Sequence, residues 1–331
     1  MITSIHFQNF KALRDTTLPL GPFTLIVGPN NSGKSTVMQA LTFASDPSAF
    51  KFDDIVSAGW ENESDPAIEV EIEWLEQGRR TTLVSGKLLR RTFGPSPRGE
   101  GVFTEAIERK LAGFKAFSFD ARALAAPVQT HGRAELGPDG ANLAAVLSTL
   151  NGREPERFDA LNQELQRWLP EFDRIVVDFP QPGHTEFLLR TRFGHHKYNA
   201  RELSHGTLFA LAFLTLAYLP NPPSIVGFEE PERGIHPRLL NEIREGMYRL
   251  AYPKDFGESR EAVQVIATTH SPYLLDLYKE HPEEIVIAHK EKDGVHFNRL
   301  SEKPHIGELL EGAPLGDIWY SGVLGGVPTN P

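Results

Sequence analysis

Residues 28–36 carry the clearest chemical signal in this sequence, because they read Gly-Pro-Asn-Asn-Ser-Gly-Lys-Ser-Thr and match the pattern G-x-x-x-x-G-K-[ST]. The apolar run Phe23–Val27 precedes them, and the proline-free, helix-favouring segment Val37–Leu41 follows. The backbone N–H groups of such a loop, with the positive end of the next helix, bind phosphate oxygens. The pattern therefore predicts a nucleoside triphosphate site.

Each residue type in this loop has an expected role. The Lys34 ammonium group would reach the β- and γ-phosphates, and the Ser35 hydroxyl would hold Mg²⁺. The other nucleotide-binding candidates are Gly28, Asn30, Asn31, Ser32, Gly33 and Thr36.

A pair of carboxylates forms the second candidate site. The apolar segment 224–228 predicts a strand, and it leads directly into Glu229 and Glu230. Next to a phosphate loop, one carboxylate could hold Mg²⁺ through water, and the other could deprotonate the attacking water. We assign Glu229 to the metal and Glu230 to the base. A surface glutamate pair at the end of a strand is the alternative.

Two further segments suggest polar sites at the ends of elements. Ser204 and Gly206 directly precede an apolar helix, 208–219, where a hydroxyl and an N–H group could form a second anion site. Ser204 as a simple helix N-cap is the alternative. The buried-type strand 263–268 leads to His270, for which both a structural and a functional role remain open.

Together, these four elements resemble the RecF, SMC and OLD-type branch of ABC ATPases. The opening Ile5–Lys11 and the segment Glu229–Pro237 are especially similar to it, and the specific anchors are residues 5–41 and 202–273. The resemblance implies an α/β fold: an ABC-type P-loop ATPase head with a mixed or parallel core sheet, an antiparallel β subdomain and an inserted helical subdomain. It also implies that ATP and Mg²⁺ are the cofactors.

The resemblance assigns further roles. The segment 202–207 is similar to the Leu-Ser-Gly-Gly-Gln signature, which implies that Ser204 and Gly206 complete the γ-phosphate pocket of another subunit in a homodimer or higher homo-oligomer. His270 resembles the switch histidine, so it joins Glu230 and Lys34 as a catalytic candidate. Gln129 is the candidate for the Q-loop glutamine. Two positions depart from the pattern, since Glu229 replaces the more common Asp and His205 replaces a signature Gly.

The sequence predicts a single ATPase domain, 1–331, with three parts: 1–93, 94–201 and 202–331. Helical periodicity runs from 104 to about 169. The other predicted helices are 208–219, 237–250 and 272–278, and the predicted strands are 2–10, 23–27, 67–74, 81–84, 88–93, 175–179, 186–191, 224–228, 263–268 and 284–289.

Composition narrows the class of protein. The 331 residues include no cysteine, which excludes disulfides, thiolate zinc sites and a cysteine nucleophile. The net charge of −10 argues against a surface coated for nucleic acid. The longest apolar stretch, 208–219, is too short to span a bilayer, and no secretory segment is recognised at the start. We therefore expect a cytoplasmic protein without a membrane partner.

Local basic segments keep DNA open as a partner. Within 79–99 there are six basic residues and no acidic one, and a smaller basic cluster lies within 195–201. The first group is Arg79, Arg80, Lys87, Arg90, Arg91 and Arg98, and the second is His195, His196, Lys197 and Arg201. Solvated loops, DNA contact and an acidic protein partner are the three interpretations.

The segment between the phosphate loop and the signature, roughly 170 residues, lacks the heptads of SMC coiled coils. The part after Ile285 is too short for the TOPRIM domain of OLD-type nucleases. We therefore expect an ATPase head without its own effector domain, similar to ATPase components of bacterial anti-phage systems that act with a separately encoded nuclease or toxin. The alternatives are a RecF-like DNA-binding repair factor, an ATP-locked scaffold and a free-standing housekeeping ATPase.

Overall fold

The computed structural model describes residues 1–58, 67–75, 78–85, 88–93, 102–129 and 135–324, with the backbone alone for 78–85, 88–93 and 102–104. The chain divides into two compact units. Unit 1 comprises Met1–Ala116, Pro223–Glu230 and Val263–Pro331, and unit 2 comprises Phe117–Pro222 and Pro231–Ala262. The three-part division at 93 and 201 stays a prediction.

The strands and helices are numbered in chain order over the described residues. The strands are β1 (Ile2–Phe10), β2 (Leu13–Pro19), β3 (Phe23–Val27), β4 (Ala67–Trp74), β5 (Gly78–Ser85), β6 (Leu88–Phe93), β7 (Phe114–Phe117), β8 (Val128–Gln129), β9 (Phe172–Asp178), β10 (His184–Thr191), β11 (Lys197–Asn199), β12 (Ile225–Glu229), β13 (Gln264–Thr269), β14 (Ile285–Lys290) and β15 (Val295–Arg299). The helices are α1 (Lys34–Ser45), α2 (Phe52–Ile55), α3 (Val102–Ala112), α4 (Ala121–Leu124), α5 (Leu143–Arg153), α6 (Pro155–Trp168), α7 (His205–Ala217), α8 (Leu240–Ala251), α9 (Pro272–Asp276), α10 (Ile306–Gly312) and α11 (Leu315–Tyr320).

Unit 1 contains an antiparallel sheet with the order β2-β1-β4-β5-β6. In β4 the apolar residues Ile68, Val70, Ile72 and Trp74 are buried. The intervening glutamates are only partly exposed. This alternation confirms the half-buried strand that the sequence predicted at 67–74.

The second sheet of unit 1 has the order β15-β14-β3-β13-β12-β7, and its strands β14, β3, β13 and β12 are mutually parallel. All five residues of β3 and all six of β13 are buried, which is typical of central parallel strands covered on both faces. Because parallel strands end at the same edge, the segments that follow β3, β12 and β13 emerge side by side. This edge carries the candidate site.

Helix α1 and both sheets of unit 1 share one apolar core. Phe10 of β1 and Phe43 of α1 lie with ring centroids 5.5 Å apart within it. The buried amide of Gln264 ties β13 to the start of the chain, since its Oε1 accepts from Ile2 N at 2.9 Å and its Nε2 donates to Ile2 O at 2.7 Å. Through Phe43, the far end of α1, the helix that begins at the phosphate loop, is packed into this core.

Unit 2 combines helices α4–α8 with a small antiparallel sheet of β8, β9, β10 and β11. The buried Asn162 of α6 joins a helix to this sheet, because its Oδ1 accepts from Ile175 N at 2.7 Å while its Nδ2 donates to Phe158 O. Helix α7 is almost entirely buried along its length, so only its first residues contact solvent.

Several sequence predictions differ from the structure in detail. The helical period of 104–169 is interrupted by β7 and β8, which are too short to show a strand period. The prediction 237–250 merges a 3-10 turn at Pro237–Leu239 with α8. Strands β2 and β15 were not predicted, although each pairs with a neighbour that was. Among the residues that the structure describes, no helix has the length and apolarity needed to cross a membrane.

Candidate nucleotide-binding site

The loop between β3 and α1 has the backbone geometry of a cradle. Asn31 and Gly33 adopt positive φ values of 66° and 83°, which turn the chain into the helix. A Cβ atom at Gly28 would lie 2.4 Å from the carbonyl oxygen of Ala288, so only glycine allows the loop to pass this close to β14. The loop is therefore shaped by its glycines and by the strand beside it.

The Lys34 side chain folds back over this loop. Its Nζ donates to Gly28 O at 2.9 Å, to Pro29 O at 2.7 Å and to Ser32 Oγ at 3.3 Å, and the residue is only 5% exposed. A buried ammonium group requires such partners because leaving it unpaired in the interior is costly. The amine thus donates to uncharged oxygens of the loop, which the oxygens of an anion could replace.

The start of α1 suits an anion in a second way. Gly33 is its N-cap without a side-chain hydrogen bond, and the first turn contains no acidic residue. The N–H groups of a first helical turn have no partner within the helix and form the positive end of its dipole. Ser35 is exposed and Thr36 half-buried at this end, while Asn30 and Asn31 are exposed on the loop.

The two carboxylates lie where β12 ends. Glu229 is the last residue of the strand, opposite Thr268 of β13, and burial together with the charge of Glu230 raises its pKa. Glu230 has a φ of 47°, which is uncommon for a residue with a side chain. Its N–H donates to Thr268 O at 3.1 Å and Thr268 Oγ1 at 3.3 Å. Thr268 thus stabilises the backbone conformation of Glu230 at the end of β12.

His270 lies between the carboxylate pair and the phosphate loop. Its Nε2 lies 3.4 Å from Glu230 Oε1, and its ring also makes a hydrogen bond with the backbone of Gly28. Burial and then the positive charge of Lys34 lower the pKa of His270, while Glu230 and the Gly28 contact act in the opposite direction. The neutral imidazole is therefore favoured at neutral pH.

The structure thus brings the phosphate loop, Glu229, Glu230 and His270 to one edge of one sheet within unit 1. Sequence reasoning did not identify Thr268 or the carbonyl of Ala288 as part of this arrangement. The polar pair Thr268–Thr269 at the end of an otherwise apolar strand was the available signal for the first. The second has none, since a backbone carbonyl leaves no trace in a sequence.

Ser204 and Gly206 lie at the N-terminal end of α7, in unit 2. Ser204 is exposed and caps the helix, with its Oγ accepting from Thr207 N at 3.1 Å. This is the N-cap geometry that the sequence left as the alternative interpretation, and it leaves the hydroxyl at the surface. Gln129 is exposed at the end of β8, opposite His184, also in unit 2.

The larger group of basic residues lies within 79–99. For this segment the structure describes the backbone of part of the chain and no side chain, so the role of the group stays a prediction. The smaller one is described. It occupies the β10–β11 turn and the residues after it, where His195, His196, Lys197 and Arg201 are all exposed.

Comparison with known proteins assigns the family. The model described as "AAA domain, putative AbiEii toxin, Type IV TA system" matches residues 103–276, more than half of the chain, and one described as "AAA ATPase domain" matches residues 1–118. The chain belongs to the first of these families. Both models describe AAA domains, so the chain is an ATPase.

The chain is also similar to individual curated proteins and solved structures. The Old nuclease of Escherichia phage P2 is 20% identical over 91% of this chain and 61% of its own length, so the chain spans about three fifths of that protein. An OLD nuclease of Thermus scotoductus is 49% identical over 41 residues, which is 12% of this chain and 8% of the relative. A crystal structure of an SmcHead bound to the C-winged helix domain of ScpA has a TM-score of 0.59 at 15% identity, with 92% of this chain and 99% of that chain covered, which shows the shared fold.

Proposed function

We propose that this chain is a nucleotide-driven switch: it closes into a homodimer around ATP, hydrolyses it, and controls a separately encoded effector. The observation that supports this most directly is the convergence of Lys34, Glu230 and His270 at one sheet edge. A group for phosphate binding, a candidate base and a histidine are the parts that ATP hydrolysis with a sensed γ-phosphate requires.

The residues divide the chemistry as follows. Lys34 exchanges its loop carbonyls for phosphate oxygens, and the loop N–H groups bind the same anion. Glu230 accepts the proton of the attacking water, and neutral His270 holds the Glu230 side chain and contacts the γ-phosphate. Ser35 and Glu229 fit a Mg²⁺ ion by their oxygen chemistry, and such an ion neutralises charge on the β- and γ-phosphates.

The exposed end of α7 supports the proposed dimerisation. Ser204 and His205 are exposed at this end, and the start of a helix can bind a phosphate, here one held by another copy of the chain. A two-fold dimer would then contain two equivalent sites, each built from both chains.

The experiment that tests this arrangement mixes two inactive proteins. Lys34→Ala removes phosphate binding in one chain, and Ser204→Arg blocks the helix end in the other. Mixed dimers keep one intact site, so we expect each of them to have up to about half of the wild-type turnover. Because complete exchange of equal amounts makes only about half of the dimers mixed, the whole sample should reach about a quarter of the wild-type rate. Chain exchange is verified by pulling down one tagged variant with the other. Demonstrated exchange without any recovery would contradict a shared site.

The effector is the second part of the proposal. An ATPase affects other processes only if its nucleotide states present different surfaces to something else. A family description that names one component of a TA system, and the nucleases among the relatives, support a nuclease or toxin partner in anti-phage defence. Purification of this chain from its native operon, with and without ATP, tests for that partner. Isolation of the chain alone under both conditions would contradict the proposal.

A RecF-like DNA-binding ATPase is the second candidate function, and one observation favours it. Phe193, in the turn between β10 and β11, is 83% exposed, and Tyr198 of β11 is 44% exposed. Both lie close in sequence to the exposed His195, His196 and Lys197. Aromatic side chains among basic ones bind single-stranded nucleic acid by stacking and charge. Filter binding at increasing salt tests it, with Phe193→Ala compared with Phe179→Ala, which removes another exposed phenylalanine that follows β9. DNA affinity lost only in Phe193→Ala would support this function.

A further inference from the structure

The hairpin of β14 and β15 concentrates metal-ligating side chains at its end. His289 and His296 are directly opposite each other in the antiparallel register, and their ring centroids lie 5.6 Å apart. The connecting turn supplies Glu291 and Asp293, so two imidazoles and two carboxylates come from eight consecutive residues. Opposite residues of an antiparallel pair project from the same face, which places both rings on one side of the hairpin.

The ligating atoms are already paired as nitrogen with oxygen. His289 Nε2 lies 3.2 Å from Glu291 Oε1, and His296 Nε2 lies 3.0 Å from Asp293 Oδ1. One ligand atom from each of Glu291, Asp293 and His296 also falls within 4.8 Å of the others. Two ligands of one tetrahedral zinc ion, each about 2.0–2.2 Å from it, are separated by about 3.5 Å, and both nitrogen–oxygen pairs are within that distance. His289 joins the other three ligands through its contact with Glu291.

We propose that His289, Glu291, Asp293 and His296 form a binding site for one zinc ion at the end of this hairpin. Imidazole nitrogen with carboxylate oxygen is a ligand set that zinc accepts, and four ligands match its tetrahedral preference. In the bound state each neutral imidazole offers the lone pair of Nε2 and carries its ring proton on Nδ1, and the two carboxylate charges balance the double positive charge of the ion. This site is separate from the Mg²⁺ ligands assigned above, which contain no nitrogen.

The pairing of two histidines distinguishes this hairpin from other histidine–carboxylate contacts on the surface. His281 Nδ1 lies 3.2 Å from Glu283 Oε1, which is the same type of contact with a single imidazole. Two ligands of this kind hold zinc only weakly, whereas four from one rigid hairpin bind it without much ordering. The His281 contact is therefore the matched control for the experiment.

The test is calorimetric titration of the whole chain with ZnCl₂ after chelator treatment, without nucleotide or Mg²⁺. We expect one zinc per chain and a zinc-dependent rise in the thermal midpoint. His289→Ala/His296→Ala should weaken binding by at least about 100-fold and abolish that rise, because it removes two ligands outright. His281→Ala should behave as the wild type.

A second variant guards against misfolding. His296→Gln keeps a hydrogen-bond donor for Asp293 but is a poor zinc ligand, so it should fold normally and lose the affinity. Cobalt substituted into the wild type should show the visible absorption of a tetrahedral site, absent from both variants. Wild-type zinc affinity in either variant, or no uptake by the wild type, would overturn the proposal.

Discussion

The sheet edge of unit 1 and the start of α7 in unit 2 are both candidate phosphate sites, and they are built differently. At the sheet edge, Lys34, Glu230 and His270 come from three distant segments and contact one another or a shared loop. At α7, Ser204 and Gly206 are neighbours in sequence, and the Ser204 hydroxyl is satisfied by Thr207 of its own helix. The first contains mutually dependent groups, whereas the second is a local cap exposed to solvent.

This difference indicates which changes should separate fold from function. Within the sheet edge, one side chain supports the charge state or geometry of the next, so a substitution affects several groups at once. At α7, capping and phosphate binding use the same hydroxyl, so the two roles separate only if a variant keeps one and removes the other.

The largest effect is expected for the base. Glu230→Gln keeps the size of the side chain but cannot accept a proton, so we expect kcat to fall by about 10²- to 10⁴-fold with ATP affinity retained. Steady-state turnover and equilibrium nucleotide binding, measured on the same sample, check this. Glu229→Gln is the comparison, and it should instead lower the affinity for Mg²⁺, so that a higher Mg²⁺ concentration is needed for half-maximal turnover. Normal turnover of Glu230→Gln would show that the pair is assigned wrongly.

Removal of the lysine should affect binding itself. Lys34→Ala deletes a charged donor to the phosphates, and we expect ATP affinity to fall by roughly 10- to 100-fold. Calorimetry with ATP measures it. Lys11→Ala is a suitable control, because Lys11 Nζ donates to Gln39 of α1 at 2.8 Å, whereas the loop carbonyls of Gly28 and Pro29 accept from Lys34. An unchanged affinity in Lys34→Ala is incompatible with the proposed site.

At α7, charge can be changed without loss of the cap. Ser204→Asp and Ser204→Asn both cap helices about as well as serine, so stability should stay within about 0.5 kcal/mol. The aspartate places a negative charge where a phosphate is proposed, and we expect turnover to fall about tenfold or more in Ser204→Asp alone. Thermal melts and turnover distinguish the roles. Equal activity of the two variants would reduce Ser204 to a structural cap.

The smallest effect concerns pH. Because the folded pKa of His270 is lowered, its contribution to stability is complete above the ordinary value of about 6.5 and is lost as pH falls through the lowered pKa. The wild type should therefore lose stability relative to His270→Asn only in that acidic range. Thermal midpoints of both proteins from pH 8 to 5 test it, with His305→Asn, an exposed histidine, as control. A constant difference would contradict the pKa shift.

Local patterns made part of the site predictable from the sequence. The phosphate loop is one contiguous motif between a strand and a helix, and Glu229 and His270 each follow an apolar run, so parallel strands were enough to place them on one edge. The positive φ of Glu230 and its bonds to Thr268 depend on the exact register of β12 against β13. Likewise, the approach of Ala288 to Gly28 depends on β14 pairing with β3. Such long-range register is not visible in local periodicity.

The position of β3 between β14 and β13 also determines when, during translation, β3 can pair with its neighbours. Both neighbours of β3 in the sheet lie roughly 240 residues further along the chain. At ordinary elongation rates the ribosome needs roughly 12–50 s to synthesise that length. Until then, a strand whose five residues are all buried in the folded protein has two unpaired edges, a condition that favours aggregation or chaperone binding. The residues of unit 2 are almost all translated within that interval. The phosphate loop therefore acquires its strand neighbours only after unit 2 has been synthesised.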